Sequence, residues 1–162
     1  MGVEIERKFI VSNDIAKDYY KQALNGQYEY KKIEQAYLTT NPVIRVRKSN
    51  DKYYMTYKGK GFIEREEYNL PLTEEAYMTL REKADGNIIS KTRVLIPYDR
   101  YTIELDIFDK PFEEITIAEV EFETLDDANS FCKPDWFLED VTEDRRYSNS
   151  YLSRQVQACT NE

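Results

Sequence analysis

Ionic residues recur at every second position along nearly every strand-like run of this chain, and within a run the sign of charge tends to repeat. Glu4 and Glu6 alternate with Val3 and Ile5, and Lys8 continues their face. Arg45 and Arg47 oppose Ile44 and Val46, and Lys58 shares a face with Thr56 opposite Met55 and Tyr57. Arg65, Glu67 and Asn69 oppose Tyr68 and Leu70, and Lys91 and Arg93 oppose Thr92 and Val94. Glu104 and Asp106 oppose Ile103, Leu105 and Ile107, and Glu119, Glu121 and Glu123 oppose Val120 and Phe122. Successive strand side chains point to opposite faces, so each run has one apolar face and one ionic face.

The runs cover 3–11, 30–38, 43–49, 53–59, 65–70, 88–96, 100–108 and 115–123. Turn-forming residues separate them, among them Asn41-Pro42, Ser49-Asn50-Asp51, Gly59-Lys60-Gly61, Gly86-Asn87 and Lys110-Pro111. Connections this short predict antiparallel hairpins. Helices are expected over 13–24, 74–84 (behind the capping residue Thr73), 125–132 and 143–153, with 154–162 a loose tail. With no repeat and no break in composition, the 162 residues read as one α+β domain.

Like charges two residues apart repel, and confinement strengthens the repulsion. Two arrangements accommodate them. Either the ionic faces form a solvated outer surface, or the strands close into a barrel whose bore is ionic and whose apolar outside is covered by helices. Acids grouped by strand and bases grouped by strand favour the bore, since an ordinary surface intersperses signs. The expected helices also need an apolar sheet face to cover.

Composition narrows the chemistry. The net charge of −8 disfavours nonspecific nucleic-acid binding, which depends on a basic surface. The chain contains no histidine, which removes Ser-His and Cys-His nucleophiles and His-containing metal sites. Cys132 and Cys159 lack metal-ligand spacing and read as free thiols. No stretch is apolar enough to span a membrane and no secretory signal is visible, so the expected compartment is the cytoplasm.

A bore lined by both signs suits a phosphate chain accompanied by metal. Lys and Arg bind phosphate oxygens, while carboxylates hold Mg2+ or Mn2+, which bridge to them. Oxygen ligands without histidine point to those ions over zinc.

The ordered set Glu4-x-Glu6-x-Lys8, Arg45-x-Arg47, Thr56-x-Lys58, Arg65-x-Glu67, Lys91-x-Arg93, Glu104-x-Asp106 and Glu119-x-Glu121 resembles the CYTH superfamily, the triphosphate tunnel metalloenzymes. The closing Asp140-Val141-Thr142 and Tyr147-x-Asn149 extend the resemblance, which covers residues 1 to 152. It implies an eight-stranded antiparallel β-barrel, a tunnel with helices outside. It implies metal ligands at Glu4, Glu6, Glu119 and Glu121, and triphosphate-binding residues at Lys8, Arg45, Arg47, Lys58, Lys91 and Arg93. Glu67, Glu104 and Asp106 are then candidates for a second metal or for orienting the attacking water. Arg65, Glu123, Arg145 and Arg146 read as rim or surface charges, and Tyr28, Tyr30 and Tyr37 as packing.

The implied activity is metal-dependent hydrolysis of a small-molecule triphosphate, foremost inorganic triphosphate, by a monomer or homodimer. Thiamine-triphosphatase, RNA 5′-triphosphatase and class IV adenylyl cyclase activities belong to the same family. A noncatalytic polyphosphate- or nucleotide-binding module is the alternative outside enzymes.

Overall fold

In the computed structural model, which describes residues 2–155, eight antiparallel strands close on themselves. They are β1 (Gly2–Val11), β2 (Glu29–Thr40), β3 (Val43–Ser49), β4 (Lys52–Lys58), β5 (Glu64–Pro71), β6 (Ile89–Tyr98), β7 (Tyr101–Phe108) and β8 (Thr116–Phe122). Their spatial order is β5-β4-β3-β2-β6-β7-β8-β1, and pairing of β1 with β5 completes the ring. Closure satisfies the backbone groups that an open sheet would leave at its edges.

Register decides what faces the bore. Glu6 lies opposite Glu121, Lys8 opposite Glu119, and Glu104 opposite Glu119. Arg93 lies opposite Asp106, and Arg45 opposite both Thr56 and Tyr37. Directly paired residues of neighbouring strands share a face, so the ionic faces merge into one inner wall. The ionic bore is therefore the arrangement adopted, and the solvated-surface alternative is not.

The apolar faces point outward under helices. On one flank α1 (Asn13–Leu24) and α3 (Leu125–Ser130) bury Ala16, Ala23 and Ala128 against Phe9, Val94, Ile103, Leu105 and Val120. On another, α2 (Glu74–Glu82) seats Tyr77 against Ala36 and Val46. Each helix starts at a hydroxyl cap: Ser12 accepts from the Ile15 amide, Thr73 from Ala76 and Thr124 from Asp127.

Two features depart from expectation. A short strand, β9 (Phe137–Asp140), pairs with β1 beyond the point where β5 leaves it. The helix expected over 143–153 is a 3-10 turn at Arg145–Tyr147 followed by α4 (Asn149–Ser153). Its interruption has a local cause. Asp144 caps the turn by accepting from the Arg146 amide, and Ser148 then caps a new helix by accepting from the Tyr151 amide. Two caps four residues apart divide what would otherwise run continuously. The expected tail lies outside the described residues from 156 onward, as does Cys159; Cys132 is an exposed free thiol. No helix among the described residues is long and apolar enough to cross a membrane.

One end of the bore is not ionic. Tyr37, Val43, Ile89, Phe108 and Ile117 cluster there, and Leu152 of α4 packs among them. This apolar floor carries the ionic chamber above it.

Candidate active site

The chamber is a cavity of about 670 Å³. Its wall includes Glu4, Glu6, Lys8, Arg45, Arg47, Lys58, Glu67, Lys91, Arg93, Glu119 and Glu121, which are all the residues anticipated from the sequence except Glu104 and Asp106. Those two share the inner face but do not line the cavity. Asp106 has no exposure and accepts from Lys91 Nζ at 2.7 Å and from Arg93 Nε and Nη2 at 2.7 and 2.9 Å. Glu104 pairs with Arg93 as well. Both therefore brace cations of the wall.

The cations are held in fixed positions. Arg47 donates from Nε to Gln35 Oε1 at 2.8 Å, and Gln35 donates from Nε2 to the Tyr37 hydroxyl at 3.2 Å. Lys58 Nζ donates to Glu4 at 2.9 Å and lies 3.3 Å from Glu67. Lys91 donates a second hydrogen bond to Asn149 Oδ1 at 3.1 Å, so α4 reaches into the wall. Arg45 Nε and Arg65 Nε are buried without a hydrogen-bond acceptor, although Arg65 Nε lies 3.7 Å from Glu4 Oε1. A native fold rarely leaves such donors unmet, and here they line a space a ligand can occupy.

The carboxylates divide into two sets. Glu4, Glu6 and Glu121 each bring an oxygen within 4.8 Å of the others. Desolvation in the chamber, then Glu104, Glu4 and Glu6, push the Glu121 carboxyl up to about 8. Burial and then the neighbouring Glu119 and Glu4 raise Glu6. Burial likewise raises Glu4, against the pull of Lys58. The other set is ionised. Burial alone would raise Glu119, but Lys8, Arg93 and Lys91 overcome it and hold its carboxyl far below the usual range. Asp106 is depressed against its own burial by Arg93 and Lys91. Glu67 falls to about 2 because a hydrogen bond shared with Glu4, then Lys58 and Arg45, outweigh burial. Lys91 is lowered to about 7, chiefly by burial.

Three crowded, proton-rich carboxyls on one wall are what a hard divalent cation would relieve. Glu4, Glu6 and Glu121 fit such an ion by donor type and proximity. Glu119, also anticipated as a ligand, lies 3.8 Å from Lys8 and 3.3 Å from Arg93.

Some residues of the site are not assigned to it by the sequence pattern. Gln35, which braces Arg47 without lining the cavity, and Tyr37 carry no charge, so β2 lacks the ionic alternation, although their spacing of two is available as a signal. Tyr37 packs in the floor, as anticipated, and also lines the chamber. Tyr54 does so too, its hydroxyl 3.4 Å from Arg47. Arg65, anticipated as a rim charge, lies in the wall. Asn149 follows no strand periodicity because it arrives from outside the barrel. Arg146 stays outside, paired with Asp144.

A closed barrel with helices outside and fixed charges of both signs inside defines a class, the charged tunnel proteins. The CYTH domain family matches residues 2–154, and the chain belongs to it. It is 34% identical over 158 residues to the inorganic triphosphatase of Nitrosomonas europaea, covering 94% of this chain and 98% of that protein. It is 39% identical over 156 residues to the inorganic triphosphatase of Acetivibrio thermocellus, covering 94% of each. A crystal structure of an inorganic triphosphatase, NE1496, superposes with a TM-score of 0.66 at 30% identity, covering 98% of this chain and 99% of that one.

Proposed function

We propose that this protein hydrolyses inorganic triphosphate to diphosphate and phosphate with the help of Mg2+ or Mn2+. The observation that carries the reading is the pairing, within one chamber, of a carboxylate cluster with a wall of buried cations. The similarity to two inorganic triphosphatases over nearly the whole chain supports the same substrate.

Lys8, Arg45, Arg47, Lys58, Lys91 and Arg93 are assigned to the phosphate oxygens, where buried guanidinium and ammonium groups are worth more than in water. The unmet Arg45 Nε supports this assignment. Glu4, Glu6 and Glu121 would hold the divalent ion, and Glu119 keeps Lys8 and Arg93 in place. When bound, the ion would offset phosphate charge and polarise the bond to be broken.

In the reaction, water oxygen bonds to the terminal phosphorus while the bridging P–O bond breaks, its electron pair leaving with diphosphate. The water proton passes to a carboxylate and then to solvent. Glu67, ionised and in the wall, is assigned to orienting that water. Asp106 and Glu104 act through Arg93 and are positioning residues. Charge compensation and alignment supply most of the acceleration in phosphoryl transfer, and these fixed cations are suited to both. The setting is taken as the cytoplasm, in keeping with the free thiol of Cys132.

The test is phosphate release by purified protein with inorganic triphosphate, ATP and thiamine triphosphate, with Mg2+, Mn2+ or chelator. Release from inorganic triphosphate should exceed the others and cease with chelator. Release at the blank rate from all three would overturn the proposal, and cyclic AMP formed from ATP would replace it with a cyclase.

A further inference from the structure

A second cavity, of about 570 Å³, opens through the side of the barrel. It lies where β1 parts from β5. There the strand ladder lapses, and single hydrogen bonds from the Glu6 amide to Ile63 O and from the Lys8 amide to Thr142 Oγ1 take its place. The two cavities share Glu6, Lys8, Val43, Arg65, Ser148 and Ser150, so they adjoin. Because Leu152 and its partners form an apolar floor, this side port is a way out of the chamber distinct from the main mouth.

The two openings differ in charge. The main chamber sets the Glu4, Glu6 and Glu121 carboxyls among its cations, an arrangement that suits an anion accompanied by metal. The port is lined outward by Lys60 and Arg145, neither of which has an ion-pair partner among the described residues. Arg145 rests over the Phe62 ring at 5.6 Å, which orients it without neutralising it. Asp144, the acid at the rim, is engaged by Arg146 at 2.6 Å. Arg65, whose buried Nε has no hydrogen-bond acceptor and lies 3.7 Å from Glu4 Oε1, lines both cavities. The loop carrying Lys60 is fixed by Gly61. At φ +130° it adopts a conformation open to glycine, and a Cβ there would lie 2.2 Å from Glu64 O.

We propose that the side port is an anion-binding exit, taking inorganic phosphate from Arg65 to Lys60 and Arg145 while metal-accompanied triphosphate uses the main mouth. The proposal rests on the triphosphatase reading and adds a direction to it. Cleavage produces a small phosphate anion, and a cationic path leading away from the carboxylates draws it outward. Leaving by a separate port spares it from passing the next substrate.

The double variant Lys60→Glu/Arg145→Glu, assayed with Mg2+ and inorganic triphosphate, tests this. Single-turnover cleavage should stay within about twofold of wild type, while kcat falls roughly tenfold and a burst of one phosphate per active site appears. The milder Lys60→Gln/Arg145→Gln should lie between, which guards against a folding defect. Lys52→Glu at the main mouth should raise KM without a burst. An unchanged kcat in the double charge reversal, or single-turnover and steady-state rates falling together, would overturn the exit port but leave the triphosphatase reading standing. A wild-type protein without turnover would overturn both.

Discussion

Glu121 is the residue through which the chamber reports its own electrostatics. Its carboxyl, near 4.3 in an unfolded chain, stands at about 8 in the folded one. Between those values the folded state binds the extra proton, so metal-free stability falls as pH rises from about 4.5 towards 8. Glu121→Gln removes one such group. In chelator its melting temperature should therefore fall less steeply across that window than wild type, and stand higher near its upper end. A divalent ion should raise the wild-type value most at high pH, because binding displaces fewer protons there. Parallel melting curves for wild type and Glu121→Gln would contradict the crowding described for this cluster. Opposite treatment of carboxyls on one strand, Glu119 ionised among cations and Glu121 protonated among acids, follows from which neighbours register brings to each.

Among the elements, α4 has the largest effect for its size. Asn87 secures it, donating from its amide to Ser153 O at 2.6 Å and from Nδ2 to Leu152 O at 3.3 Å. Gly86 at φ +85° lets the chain pass so close that a Cβ would lie 2.2 Å from Ser153 O. Docked in this way, α4 places Leu152 in the floor and Asn149 against Lys91. Leu152→Ala should cost about 2–5 kcal/mol in denaturant unfolding, as for other buried leucines. A loss under about 0.5 kcal/mol would show that the floor does not depend on this helix. The same element marks where sequence reading ran out. Barrel strands were legible because Glu4/Glu6, Arg45/Arg47 and Lys91/Arg93 repeat at period two beside apolar partners. The floor was not, since it takes one residue from each of several strands and appears only once register is fixed. Asp144 and Ser148 are both good caps, and nothing local announces that both are used. β9 is four residues long, too short for periodicity to identify.

At the scale of the molecule, a chain of net charge −8 builds a cation-rich interior by closing its ionic faces inward. The inner cations are compensated by the inner acids, which leaves fixed, partly unmet donors for an anionic ligand. Chamber, floor and side port together describe a passage through which a phosphate chain is admitted, cut and cleared. The most direct test is a phosphorus-31 NMR time course of inorganic triphosphate with the protein and Mg2+ or Mn2+ in oxygen-18 water. The account predicts equal accumulation of diphosphate and phosphate, with the label in phosphate alone because water attacks the terminal phosphorus. Unchanged triphosphate with either ion, or label in diphosphate, would contradict it.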